Sequence, residues 1–119
     1  MTETGKRHEI EQTLGEELLH IHEDSYGKGA AEVTVHQVDD AILVFLDGLE
    51  LQRAEEFLVD AGQQETVINT RAQFQQAIET TFRAAVERAT GRRVTSFASV
   101  TKLDPNYACE IFRLAPHAA

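Results

Sequence analysis

Apolar residues near the start of the chain recur with the period of a helix. Over residues 4–24 they stand three or four positions apart with acidic residues between them, which predicts an amphipathic helix. The apolar positions are Ile10, Leu14, Leu18 and Ile21. Gly15 is an unfavourable residue inside a helix, whereas Gly27 is well placed to end the helix in the left-handed conformation that glycine tolerates.

After this helix the side chains alternate with the period of two that is typical of a strand, and a turn follows, which indicates a β-hairpin. Strand one is predicted at about Glu32–Val38, and Asp39-Asp40 supplies a tight turn, although Asp-Asp is a weaker turn signal than Asn-Gly. Strand two, Ala41–Leu46, is apolar at every position, so both of its faces need a cover. A small chain cannot easily cover both faces, and the sequence therefore predicts a homodimer.

Two helices and a second hairpin are predicted in the rest of the chain. A short helix spans about Glu50–Ala61, and its inward residues are predicted to be Leu51, Ala54, Phe57 and Leu58. A long helix spans about Glu65–Thr90, and its core-facing stripe consists of Val67, Arg71, Phe74, Ile78, Phe82, Ala85 and Ala89. Strands follow at Arg93–Thr101 and Tyr107–Leu114, joined by the turn-forming segment Lys102–Asn106.

The resulting order, α-β-β-α-α-β-β, predicts an α+β fold. Two hairpins separated by helices favour an antiparallel four-stranded sheet with the helices packed on one face. At 119 residues the chain is long enough for one core, so we expect a single domain over residues 1–119 with its core at about residues 10–114.

Composition indicates a protein that is not inserted in a membrane. The longest apolar run, Ala41–Leu46, is far too short to span a bilayer, and no signal peptide is visible at the N-terminus. A single cysteine, Cys109, excludes an internal disulfide and suits a reducing compartment. We therefore expect a cytoplasmic location.

Charge is distributed unevenly along the chain. Residues 1–65 carry 16 acidic and 4 basic side chains, whereas residues 66–119 carry 4 acidic and 7 basic ones, which together give the net charge of −9. This net charge argues against binding to nucleic acid. The asymmetry indicates either a solvated acidic surface, which we favour, or complementary faces between the halves of the fold or between subunits.

Arg71 is the strongest candidate for a binding residue. It lies on the core-facing stripe of the long helix, where a guanidinium needs a carboxylate, backbone carbonyls or an anionic ligand. The candidate carboxylates are Glu55, Glu56, Asp39 and Asp40. We favour a structural ion pair, or an arginine whose head group reaches water, over the alternative of an anion sensor that binds its ligand at Arg71.

The turn Tyr26-Gly27-Lys28-Gly29 is a second candidate for anion binding, with Gly27, Lys28 and Gly29 as its binding residues, since successive backbone N–H groups near glycine can hold a phosphate. It precedes a strand rather than opening a helix, so it lacks the context of known phosphate loops. A helix end followed by a turn is the interpretation we favour for it.

The sequence predicts no catalytic residue, cofactor or metal site. His20 and His22 point to different sides of a helix, and His8, His36 and His117 are scattered. Cys109 is interpreted as a small core residue of the last strand, and no serine has a placed base. No pair of carboxylates is singled out by an apolar setting.

Several segments, in this order and spacing, resemble the MpsC-like family of small bacterial proteins over about residues 10–114. The matching segments are Tyr26-Gly27-Lys28-Gly29, Asp39-Asp40 with the apolar strand ending in Leu46-Asp47-Gly48, Glu55 with Glu56, Arg71 with Phe74, Thr90-Gly91-Arg92-Arg93-Val94, and Glu110-Ile111-Phe112-Arg113-Leu114. Two positions depart from the family pattern. Ala30 replaces a frequent proline, and the turn Lys102–Asn106 differs from the commoner threonine-rich version.

The family, long listed as a domain of unknown function, is named for a sodium-translocating, membrane-potential-generating system. The resemblance therefore implies a non-enzymatic accessory or regulatory role with a membrane transport protein as partner. It implies no catalytic residue.

Overall fold

A computed structural model describes residues 3–116 of the chain. Its elements are α1 (Glu3–Tyr26), β1 (Ala30–Val38), β2 (Ala41–Leu49), α2 (Arg53–Asp60), α3 (Gln64–Thr90), β3 (Val94–Leu103) and β4 (Asn106–Leu114). The predicted order α-β-β-α-α-β-β and the α+β class are confirmed. Most element bounds differ from the predicted ones by a few residues at one end, as is usual where helices fray and strands taper.

The four strands form one antiparallel sheet in the order β1-β2-β4-β3. The most apolar strand, β2, is therefore central, paired with β1 on one side and β4 on the other. Each hairpin keeps its own two strands together, and the pairing of β2 with β4 joins the hairpins. At the first turn Asp39 has φ 52°, a left-handed value that aspartate tolerates better than most residues.

Alternation along β2 separates two faces of the sheet. Ile42, Val44 and Leu46 are buried, whereas Leu43 and Phe45 between them are only half-buried. The buried set packs with Leu14 and Leu18 of α1 and with Phe82, Ala85 and Val86 of α3 in one core. The prediction that the helices cover one face is thus confirmed for α1 and α3, while α2 packs against α3.

Glycine at position 15 is explained by the closeness of α1 to β1. A Cβ atom there would lie 3.2 Å from Cγ2 of Val35, so even alanine would require Val35 or the helix to shift by a few tenths of an ångström. Gly27 ends α1 with φ 84°, and its N–H donates to the Glu23 carbonyl at 2.8 Å, as the sequence predicted.

The orientation predicted for the short helix is wrong in part. Phe57 is 72% exposed and Ala54 is also exposed, whereas the buried residue of α2 is Glu55. The helix begins at Arg53 rather than Glu50, and its orientation is set by the partners of Glu55 rather than by apolar burial. A pattern search that weighs only apolar residues cannot find such an anchor.

A second correction concerns Cys109. The register pairs it with Phe45 of β2 and Val100 of β3, on the face turned away from α1 and α3. It is half-buried there and is not part of the helix-side core. The residue on the core side of this strand is its neighbour Glu110, which is 1% exposed.

The uneven charge of the chain is matched by ion pairs between its two halves. Within residues 3–116, three such pairs join an acidic residue of the first half to an arginine of the second: Glu55 with Arg71, Glu17 with Arg88, and Asp40 with Arg92. Of the interpretations offered for the asymmetry, complementarity between the halves of the fold is therefore realised. The solvated surface that we favoured fits exposed acidic residues such as Glu9, Glu16 and Glu56.

Candidate functional site

The polar side chains that converge most closely centre on Arg71 and Glu55. Both residues are buried, at 2% and 6% exposure. Arg71 donates from Nε to Oε2 of Glu55 at 2.8 Å and from Nη2 to Oε1 at 2.9 Å, a two-point geometry that suits guanidinium and carboxylate. Nη2 also donates to the Glu50 carbonyl at 3.1 Å. The structural ion pair favoured from the sequence is confirmed, and Glu55 is the partner among the four carboxylates considered.

Tyr26, the last residue of α1, completes the pair. Its hydroxyl donates to Oε2 of Glu55 at 2.5 Å, and Cζ of Arg71 lies 4.5 Å from the centre of its ring, a cation–π distance. Burial, together with the hydrogen bond to Glu55, raises the pKa of Tyr26 to about 12. The tyrosine therefore stays a neutral donor across the physiological pH range.

Glu55 remains ionised in this setting. Burial acts to raise the pKa of its carboxyl, but the hydrogen bonds from Arg71, Tyr26 and the Gln52 backbone, with the charge of Arg71, lower it below the usual value. The Gln52 N–H donates to Oε1 at 2.8 Å, so the same carboxylate also caps the start of α2. One side chain thus joins α1, α2 and α3.

Aromatic rings close the inner side of this site. Tyr26 and Phe74 meet edge to face with centroids 4.6 Å apart, and His22 lies 5.6 Å from Tyr26 and 6.1 Å from Phe74. Burial, followed by the nearby charge of Arg71, lowers the pKa of His22, so this imidazole is neutral at neutral pH. We call His22, Tyr26, Glu55, Arg71 and Phe74 the corner cluster.

The turn Gly27-Lys28-Gly29 lies next to the corner cluster. The Gly29 N–H donates to the Glu50 carboxylate at 3.2 Å, and the Gly29 carbonyl accepts from the Glu50 N–H at 2.9 Å. Gly29 is buried, and a Cβ atom there would lie 2.7 Å from Cγ of Glu23, so a larger residue would require the exposed Glu23 side chain to move. Lys28 is exposed.

The structure therefore brings the predicted binding residues together. Arg71 and Gly29 both donate to Glu50, one to its carbonyl and the other to its carboxylate. Gly27 supplies the left-handed turn that makes this approach possible. In the structure the donors are occupied by carboxylate and carbonyl groups of the chain itself, so binding of an external anion stays a prediction.

Sequence reasoning named Tyr26 only as part of the glycine turn and missed its contacts with Glu55 and Arg71, and it missed the burial of His22, although a signal was present. These two residues of α1 extend the four-residue spacing of the buried Leu14 and Leu18 along the helix. The stripe was instead read through Ile21, which is half-buried. A polar residue that continues an apolar stripe, as Arg71 does on α3, is a candidate for burial.

Glu110 was missed for a similar reason. Strand alternation places it with Ala108 and Phe112 on the helix-covered face, opposite Val44 of β2 and Ser99 of β3. Among residues 3–116, neither of its carboxyl oxygens has a hydrogen-bond partner. Burial raises the pKa of Glu110 to about 7, and the neighbouring Ser99 hydroxyl offsets only part of this rise.

A second buried arginine was also missed, at the opposite end of the sheet. Arg92 donates from Nη2 to Oδ1 of Asp40 at 2.5 Å and to the Ala115 carbonyl at 2.7 Å, with Nε on the same carbonyl at 3.0 Å. These bonds tie the start of β3 and the end of β4 to the first hairpin turn. Arg92 therefore has a structural explanation.

The histidines are less scattered than the sequence suggested, because His8 of α1 and His36 of β1 line one cavity. His20 is exposed beside Asp24 on α1, whereas His22 is buried, and His117 lies outside the described residues. Within residues 3–116, no three His, Cys, Asp or Glu side chains form a group suited to a metal ion. Over the same range, none of the helices combines the length and the apolar character needed to cross a bilayer.

Fold and site together define a small α+β domain whose central polar contacts join its own segments. The family model described as "Na+-translocating membrane potential-generating system (MpsC)" matches residues 6–116, nearly the whole chain. The protein therefore belongs to the MpsC family, which confirms the resemblance seen in the sequence. No curated protein and no solved structure matches the chain.

Proposed function

We propose that the protein is a non-enzymatic accessory or regulatory component of a sodium-translocating, membrane-potential-generating system. The match of residues 6–116 to the family of that description carries the proposal. The protein would act from the cytoplasm and bind a membrane transport protein of the system. Its net charge of −9 makes an anionic lipid surface a poor partner by itself, which favours a protein contact.

The chemistry of the corner cluster supports a structural role over a catalytic one. Its strongest donor, Arg71, and its carboxylate, Glu55, neutralise each other. Tyr26 holds its proton to about pH 12, and the pKa of His22 is lowered, so the cluster offers neither a ready acid nor a strong base near neutral pH. Such an arrangement fixes α2 against α1 and α3.

The proposal is tested in cells from which the gene has been removed. We expect a lower sodium-dependent membrane potential, measured with a potential-sensitive dye, and restoration by the wild-type gene. Crosslinking of a tagged copy in intact cells, followed by membrane purification, should recover a transport protein of the same system. An unchanged potential together with no recovered transport component would refute the accessory role.

One observation supports an anion sensor as a second candidate function. Arg71 and the Gly27-Lys28-Gly29 turn, far apart in sequence, meet at Glu50, so a small movement of Glu50 would release the Gly29 N–H and one hydrogen bond of Arg71 Nη2 for an anion. In a thermal-shift experiment with nucleotides, bicarbonate and carboxylates, a true ligand at 100 times its Kd should stabilise the fold by about 2.7 kcal/mol.

The variant that tests the turn is Lys28→Ala, which alters an exposed side chain and should leave the unliganded melting temperature unchanged. A ligand that binds at the turn should shift this variant less than wild type. Absence of any shift in wild type would exclude the tested anions as ligands and leave the accessory role unaffected.

A further inference from the structure

The sheet has an apolar face that the described chain leaves uncovered. On the side away from α1 and α3, the register groups Leu43 and Phe45 of β2 with Ile111 of β4 and Val100 of β3. Val100 is 43% exposed, and the other three are half-buried. We call this surface the open face.

The charges of the open face lie at its ends rather than at its centre. One terminal row runs across the sheet from β1 to β3 as Glu32, Asp47, Tyr107 and Lys102. It is acidic at the β1 side and basic at the β3 side. The two central rows contain no acidic residue, lysine or arginine, and His36 is their only ionisable residue besides Cys109. An apolar centre with a charged rim is the usual anatomy of a protein interface.

We propose that two copies of the chain pack open face to open face, around a two-fold axis that runs parallel to the strands between β2 and β4. This rotation places each cross-strand row of one copy over the same row of the other copy. It also places β1 over β3 and β2 over β4. Glu32 of each copy then faces Lys102 of the other, and the apolar central rows cover each other. Sheets packed in this way lie about 10 Å apart, with strands roughly aligned.

The terminal row decides between the two possible axes. A two-fold axis perpendicular to the strands would instead place Glu32 over Val38 and Lys102 over Ser96 of the second copy, with no opposite charge in register. The axis parallel to the strands gives two opposite-charge pairs per dimer. A surface that complements itself in this manner is what an interface between identical subunits requires.

The area of the open face is of the size that a dimer needs. Four strands about 4.8 Å apart and nine residues long, at roughly 3.3 Å per residue, present about 600 Å² in projection. A standard interface buries about 800 Å² of accessible surface per partner, and the accessible area of side chains exceeds their projection. The inference does not depend on the proposed accessory function.

Molar mass in solution is the first test. Light scattering at high micromolar concentration should give twice the chain mass of 13.3 kDa. Leu43→Lys should return the protein to a monomer with unchanged circular dichroism, since the lysine stem can lie along the sheet while its charge stays in water. A wild-type monomer, or a Leu43→Lys dimer, would overturn the proposal.

A charge exchange tests the axis and keeps the apolar surface intact. Glu32→Lys alone and Lys102→Glu alone should each raise the Kd of the dimer about tenfold, because each change affects two contacts per dimer. The double variant Glu32→Lys/Lys102→Glu should restore the wild-type Kd. Glu56→Lys, an equal change of charge on the exposed side of α2, should have little effect. Failure of the double variant to restore the Kd would rule out this axis.

Discussion

Replacing Arg71 by methionine should destabilise the fold by about 3–5 kcal/mol, because the change leaves the Glu55 carboxylate buried without its cation. Methionine fills much of the same volume, so the loss reports the stranded charge rather than a cavity. Arg71→Ala should cost at least as much. Urea unfolding at pH 7, followed by circular dichroism, measures the change in the free energy of unfolding.

A double variant and a surface control make this test specific. Arg71→Met/Glu55→Gln contains no buried charge and retains an oxygen that can accept from Tyr26, so it should recover most of the stability lost in Arg71→Met. Arg83→Ala breaks a half-exposed pair with Glu79 on the same helix and should cost no more than about 1 kcal/mol. If Arg83→Ala and Arg71→Met lowered the free energy of unfolding equally, the buried pair would contribute no more to stability than the half-exposed one.

Replacing Glu110 by glutamine should stabilise the protein at alkaline pH by up to about 3 kcal/mol. Because the pKa of Glu110 is about 7 in the folded state, its proton is held up to about pH 7, whereas the unfolded chain releases it near the ordinary glutamate pKa of 4.5. Between these values the folded state binds more protons, so stability falls as pH rises. The variant lacks this loss. Urea midpoints of variant and wild type should therefore nearly coincide at about pH 4 and separate at about pH 8.5.

The difference between the two proteins isolates Glu110, since every other titrating group is shared. Glu9→Gln, on the exposed side of α1, should show no such separation. A Glu110→Gln variant that is less stable than wild type at pH 8.5 would mean that the carboxylate has partners in solution that the folded chain does not show.

The fold was largely predictable because its apolar residues follow the periods of helix and strand. The seven elements, their order and the one-sided covering of the sheet all follow from such periods and from glycine ends such as Gly27. The orientation of α2 was not predictable in this way. Its buried residue is Glu55, and an acidic residue gives no sign of burial until its cation is known.

Of the residues in the candidate site, the sequence pointed directly only to the cation, Arg71. Arg71 interrupts an apolar stripe, which is a local signal, and the carboxylates considered for it included the correct one. The parts played by Tyr26 and His22 depend on where the end of α1 meets α3, which is a tertiary contact. Glu110 lay within reach of the sequence, since the alternation of β4 already placed it among core residues.

Through the three ion pairs that join them, the acidic and basic halves of the chain serve as each other's counterions. Dissolved salt weakens an ion pair only where water and ions can reach the two charged groups. The pair of Arg88 and Glu17, with side chains 64% and 36% exposed, is open to this competition, whereas Arg71 and Glu55, at 3% and 8%, are shielded from it. Added salt should therefore loosen the outer contact between the halves and leave the contact at the corner cluster intact.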